Sequence, residues 1–175
     1  YISRLGMLGD TLFIVPALKN IRRTYPNAQI IVIVSPVGKA IIEETSLVDK
    51  IIVYNIYYPK WSAFWLKNKL KKDQADLYFN FDASEDYHTI FSSCLKSKKV
   101  YRMVRDYVDD SSIQLKQQSG EKLSDHIVDQ YLSLLEKADI HIKETDYVFP
   151  SHSKKCDSFY AQYKNKLSPN GQKLI

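Results

Sequence analysis

Arg4-Leu5-Gly6-Met7-Leu8-Gly9-Asp10 leads from an apolar start at Tyr1-Ile2 into a helix-patterned run that holds Pro16-Ala17-Leu18. A strand that turns through Gly-x-x-Gly into a helix opens an α/β unit. It leaves backbone N–H groups and a positive helix end at the turn, a setting that suits an anion. The stretch has no third glycine of the dinucleotide fingerprint and no Gly-Lys-Ser/Thr of a P-loop, so neither nucleotide motif is matched. Asp10 admits two readings. It is the kind of residue that caps a helix, and it is also a carboxylate at the mouth of a sheet, able to take a proton from an incoming hydroxyl.

Working outward, short apolar runs alternate with helical stretches. Strands are predicted at 1–5, 28–35, 50–54, 77–81 and 99–101. Helices are predicted at 11–25, from Pro36 through Glu44, and at 61–72, 87–96 and 126–138. The run Ala28-Gln29-Ile30-Ile31-Val32-Ile33-Val34-Ser35 is β-branched and continuous, as in a strand buried on both faces. Such alternation predicts right-handed crossovers and a doubly wound, Rossmann-like parallel sheet of the α/β class. Ligands of these sheets bind beyond the carboxyl ends of the strands. The loops at 6–10, 35–38, 55–60, 82–86 and 102–124 are therefore the candidate site. Residues 104–122 carry the least pattern and are expected to form a long mobile loop.

Composition narrows the function classes. The chain has 175 residues, enough for one domain. Its 45% hydrophobic and 26% charged residues exclude a disordered chain. The net charge of +5 suits an anionic partner such as a phosphorylated sugar, a membrane surface or a nucleic acid, and selects none of them. Two cysteines, Cys94 and Cys156, are too few and too far apart for a disulfide framework or a zinc site. No apolar run approaches the roughly 20 residues of a membrane span. Tyr1 already stands inside a strand and Gln172-Lys173-Leu174-Ile175 reads as the start of another, so a fragment of a longer protein is expected.

The order of motifs carries a resemblance. Arg-Leu-Gly-x-x-Gly-Asp and an apolar helix with Pro16 come first. Arg22-Arg23-x-Tyr25-Pro26-x-Ala28 then precedes the β-branched strand. Leu47-Val48-Asp49-Lys50-Ile51-Ile52, Ala75-Asp76-Leu77-Tyr78-Phe79-Asn80-Phe81-Asp82, Lys98-Lys99-Val100-Tyr101-Arg102 and His126-Ile127-Val128-Asp129-Gln130-Tyr131 follow. This series resembles the lipopolysaccharide heptosyltransferases, family 9 glycosyltransferases of the GT-B fold. The resemblance implies inverting transfer of a heptose, or a related sugar, from ADP-heptose to a lipopolysaccharide core acceptor. It implies Asp10 as the catalytic base and no metal or other cofactor. Residues 1–168 would be the N-terminal, acceptor-side domain. Residues 169–175 would begin the linker or first strand of a C-terminal domain that binds the nucleotide-sugar, so the fragment alone is expected to be inactive.

Gly9, Lys60, Arg102, Arg105 and His126 are the expected substrate-binding residues. Lys98, Lys99, Arg102 and Arg105 are expected to border the carboxyl end of the fifth strand. Where some heptosyltransferases carry a basic cluster, this chain reads Tyr57-Tyr58-Pro59-Lys60-Trp61, one cation among aromatics. That suits a sugar face on a less anionic acceptor, or else ordinary packing of the loop. Lys67, Lys69, Lys71 and Lys72 make either a solvated face or an attraction to an anionic leaflet. A cytoplasmic protein peripheral to the inner membrane is the corresponding expectation. His126 with Asp129 is either structural or part of the site. Asp82, Glu85 and Asp86 read as loop and capping acids rather than metal ligands, and His88, His141 and His152 stand alone. Two rivals are a nucleotide- or phosphate-binding module using the Gly6–Gly9 turn and a nucleic-acid-binding domain. The second lacks any recognisable motif, and no nucleic-acid partner is expected.

Overall fold

The computed structural model describes residues 1–70, 74–82, 85–103, 113–115 and 126–145. Six strands, β1 (Ile2–Arg4), β2 (Ile31–Val34), β3 (Lys50–Val53), β4 (Gln74–Asn80), β5 (Lys96–Met103) and β6 (Ile113–Leu115), form one sheet in the order β3-β2-β1-β4-β5-β6. Every neighbouring pair is parallel. The helices are α1 (Leu8–Leu12), α2 (Val15–Thr24), α3 (Pro36–Glu43), α4 (Pro59–Leu70), α5 (Glu85–Cys94) and α6 (Ile127–Glu136).

Strand β2 shows why both faces need cover. Side chains alternate along a strand. Val32 and Val34 enter one core with Leu18 of α2, Ile42 of α3 and Leu135 of α6, whereas Ile31 and Ile33 enter a second with Leu66 and Leu70 of α4 and Phe91 of α5. Burying each such aliphatic side chain contributes about 1.5–3 kcal/mol. A run with no polar position can be satisfied only in the middle of a two-faced sheet, which is the doubly wound arrangement.

The predicted 11–25 helix is two helices. Pro16 falls in the first turn of α2, where its missing N–H is harmless. Within a continuous helix it would delete a hydrogen bond and crowd the preceding turn. Strand β2 starts later than expected because the backbone before it answers side chains. The Ala28 carbonyl accepts from Arg22 Nη1 at 2.8 Å and the Ile30 N–H donates to Asp49 Oδ2 at 2.7 Å. Strand β5 is longer than predicted, since pairing with β4 runs from Lys96 to Arg102 through residues whose lysines are exposed. Strand β6 lies inside 104–122, which corrects the expectation of a loop throughout that stretch. The rest of it lies outside the described residues, as do Lys71, Lys72, Cys156, His152 and the expected boundary at 168.

Two polar anchors lock α2 in place. Arg22 donates to the Leu47, Pro26 and Ala28 carbonyls and pairs with Asp49 at 2.6 Å. Fully buried Asn20 donates to the Pro16 and Glu144 carbonyls and accepts from the Lys143 and Glu144 N–H groups. The Arg22–Ala28 and Leu47–Asp49 segments are thus parts of one structural clasp.

Candidate active site

Strand order reverses between β1 and β4: from β1 the chain winds outward to β2 and β3, and from β4 to β5 and β6. In open parallel sheets the crevice at such a switch point is where ligands bind. Arg4 is the last residue of β1, and Asp82 follows the end of β4. Arg4 Nη1 lies 3.2 Å from Asp82 Oδ1, and the same oxygen accepts the Leu5 N–H at 2.8 Å. Asp82 is only 4% exposed. Burial pushes its pKa up, against the pull of the Leu5 N–H and Arg4. Beneath it, Ser3 Oγ meets the Tyr78 hydroxyl and donates to Asn80 Oδ1, which also accepts the Asp82 N–H at 2.9 Å.

The second arm of Arg4 reaches Asp10. Nη2 lies 2.8 Å from Asp10 Oδ1, and the Met7 N–H donates to Oδ2 at 2.8 Å. Asp10 is therefore not the N-cap of α1. Met7 holds that position in extended conformation, and Asp10, on the first turn, folds back onto its backbone N–H, as acidic residues do in half of a capping box. Each carboxylate oxygen carries two lone pairs, so this seating leaves acceptor capacity on both. The side chain is 36% exposed and is held beside Arg4, the last residue of β1. Burial opposes the Arg4 charge, and the facing Tyr131, Asp82 and Asp10 outweigh it to raise its pKa. The Tyr131 ring centroid is 5.9 Å from the guanidinium carbon, and burial pushes the phenol up to about 12.

The two glycines of the turn differ. A Cβ on Gly6 would overlap the Asp10 side chain, so the turn is closed only by glycine. A Cβ on Gly9 would meet nothing. Ser35 Oγ donates to the Gly6 carbonyl at 2.9 Å and accepts the Gly38 N–H, fastening the start of α3 to the turn. Because Asp10 already occupies the Met7 N–H and brings negative charge to a helix of five residues, the turn is a poor cradle for phosphate.

Lys60 is exposed in the first turn of α4, at the carboxyl end of edge strand β3. Two strand spacings, about 10 Å, separate β3 from β1. His126 is the N-cap of α6, its Nδ1 accepting the Val128 N–H at 3.4 Å, and its ring meets Phe13 edge-on at 6.2 Å, beside the end of α1. Arg102 is 1% exposed and stands opposite Asn80 in β4 and Gln114 in β6. Arg105 lies outside the described residues. Lys98 and Lys99 do not border the carboxyl end of β5. The strand begins at Lys96, so they fall in its first half, where Lys98 pairs with exposed Asp76 at 2.6 Å. Loop packing does not absorb Tyr57, Tyr58 and Trp61, which are 74%, 65% and 77% exposed.

Arg4 and Tyr131 were not among the expected site residues, and Asp82 was expected only as a loop or capping acid at the start of the candidate loop 82–86. The sequence signal for Arg4 and Asp82 was a charge closing each of two apolar strands, Arg4 after Ile2-Ser3 and Asp82 after Phe79-Asn80-Phe81; Tyr131 carried none. Among the described residues no cluster of His, Cys, Asp and Glu is placed to hold a metal, and no helix is long and apolar enough to cross a membrane.

Three solved structures share this architecture. A glycosyl transferase family 9 protein from Veillonella parvula DSM 2008 matches 98% of this chain with 49% of its own, at TM-score 0.70 and 17% identity. E. coli heptosyltransferase WaaC with ADP-2-deoxy-2-fluoro heptose matches 84% of this chain with 51% of its own, at 0.64 and 17%. The same enzyme with ADP matches 83% with 50%, at 0.62 and 15%. The chain thus spans about half the length of these structures, and its fold is the Rossmann-like fold of GT-B glycosyltransferases. No family model matches the sequence, and no curated protein does.

Proposed function

We propose that this chain is the acceptor-side half of an inverting glycosyltransferase and that Asp10 is its general base. One observation supports the reading: a part-exposed carboxylate is pinned by Arg4, the last residue of β1, and by the Met7 N–H, next to the switch point of the sheet. An acceptor hydroxyl placed against Asp10 gives up its proton to the carboxylate as its oxygen bonds to the anomeric carbon. The bond from that carbon to the nucleoside diphosphate breaks on the opposite face, and the electron pair leaves with the diphosphate. The donor belongs on the far side of the cleft, in a second domain expected to begin near residue 169. ADP-heptose and a lipopolysaccharide core are the proposed donor and acceptor. Gly9, Lys60, Arg105 and His126 are proposed to meet the acceptor. Buried Arg102 is proposed to lend positive charge to the same end of the sheet.

The test is Asp10→Asn in the protein that carries both halves. Asn keeps an oxygen for the Met7 N–H, so the melting temperature should move by only a few degrees. It cannot take a proton, so turnover should fall by about 10²–10⁴, while ADP binding persists. Unchanged turnover, or an unfolded protein, would show that the carboxylate serves the turn alone. Calorimetry addresses the rival module: tight ADP binding by residues 1–175 alone would favour it.

A further inference from the structure

Both tryptophans of the chain stand on one exposed face. Trp61 is 77% exposed, Phe64 65% and Trp65 49%, and Tyr57 and Tyr58 precede them in the loop before α4. The opposite side of α4 is fully buried through Leu66 and Leu70. At 3.6 residues per turn, Trp61, Phe64 and Trp65 make a single stripe opposite those leucines. Lys60 and Lys67 border the stripe on one side and Lys69 on the other. Residues 57–70 include no acid. Lys69 Nζ lies over the Trp65 ring, 4.2 Å from its centroid, a cation–π contact.

We propose that this face docks on an anionic lipid bilayer surface, with the aromatic stripe in the headgroup region and the lysines against lipid phosphates. Charge complementarity selects the occupant. Tryptophan and tyrosine favour the membrane–water interface, where one edge of the ring is apolar and the other wet. A helix lying in that plane needs an apolar stripe with cations at its borders. A protein partner fits less well, because lysine is depleted from protein interfaces. A saccharide fits only part of the face. Tyr58, Trp61 and Trp65 line an open groove of about 530 Å³ with Val53, Asn55 and Ser62, which leaves Tyr57, Phe64, Lys67 and Lys69 without a role. The proposal stands independently of the transferase reading.

Because Trp61 and Trp65 are the only tryptophans, their emission reports on this face alone. Vesicles of equal phosphatidylcholine and phosphatidylglycerol should blue-shift the emission, and lipids brominated near the headgroup should quench it. Vesicles of phosphatidylcholine alone should bind at least tenfold more weakly. Phe64→Ser keeps both reporters and should weaken binding several-fold. Lys67→Ala and Lys69→Ala should each cost about fivefold on anionic vesicles, and salt should weaken binding. These side chains are exposed, so circular dichroism should show an unchanged fold. No blue shift with anionic vesicles at low salt would overturn the proposal. So would a shift that grows with protein concentration without lipid, which indicates a second copy, or one produced by soluble oligosaccharide and not by vesicles.

Discussion

Arg4 Nη2 lies 2.8 Å from Asp10 Oδ1, so the first strand of the sheet holds the carboxylate of the first helix. The same guanidinium holds Asp82, and exposure rises along the network from 4% at Asp82, through 15% at Arg4, to 36% at Asp10. The buried end is locked inside the sheet and the other end reaches solvent. A charge placed this way is stiff, because moving Asp10 would also disturb a pair inside the sheet.

Arg4→Met should therefore cost about 3 kcal/mol in urea denaturation, since it strands a buried carboxylate. Asp82→Asn keeps an acceptor for the Leu5 N–H and removes a charge that burial disfavours, so its cost should stay below about 1 kcal/mol. Equal costs for the two variants would show that Arg4 acts through packing alone.

The two glycines should behave oppositely. Gly9→Ala, in open space within α1, should stabilise the fold by about 0.5–1 kcal/mol. If the acceptor approaches the backbone there, the added methyl should raise the acceptor's KM in the protein carrying both halves. Gly6→Ala collides with Asp10 and should cost about 1–3 kcal/mol together with a fall in kcat.

Lys60→Ala should raise the acceptor's KM more than it lowers kcat, as for a contact made equally in ground and transition states. His126→Asn should do the same while preserving the cap on α6, whereas His126→Ala should add about 1 kcal/mol of instability. A parallel loss of kcat and kcat/KM would assign these residues to the chemical step.

Two carboxylates should impose opposite pH dependences on stability. The Ile30 N–H, then Arg22, hold Asp49 below the ordinary carboxylate pKa of 3.8. Its contribution is present above that value and is lost as pH falls through the lowered one. Asp49→Asn should cost about 1 kcal/mol at neutral pH, screened because the side chain is half-exposed, and progressively less as pH falls through the lowered pKa. Burial raises Asp82 above 3.8, so its contribution is present below that value and is lost as pH rises through the raised one. Asp82→Asn should remove that loss. Urea denaturation across pH checks both signs.

Much of the fold was legible in particular residues. Ile30-Ile31-Val32-Ile33-Val34 could only be a strand covered on both faces, and the strand–helix alternation around it required parallel crossovers. The turn at Gly6–Asp10 was found because glycine spacing and an acid at a helix start are local signals. The start of β5 was hidden, because Lys96, Lys98 and Lys99 are exposed, so that Lys96 read as the end of a helix and Ser97-Lys98 as the connection to a shorter strand. The break at Phe13-Ile14 was hidden too, since Pro16 is compatible with one helix start or with a kink. Strand β6 lies in a stretch with no period at all.

By itself the sequence determined the layers, the parallel sense of the sheet and the presence of a carboxylate at the first turn, because these follow from hydrophobic period and turn chemistry within a few residues. Only the tertiary structure decided that β1 and β4 are neighbours. That adjacency brings Arg4 to Asp82 and seats Asp10 at the switch point, and it turned a suspected cap at Asp10 into the open end of a buried charge network. It also decided that Trp61, Phe64 and Trp65 face outward. Pairing across the sheet and the choice of which helix face is buried depend on contacts between residues far apart in the chain, and no local pattern encodes them.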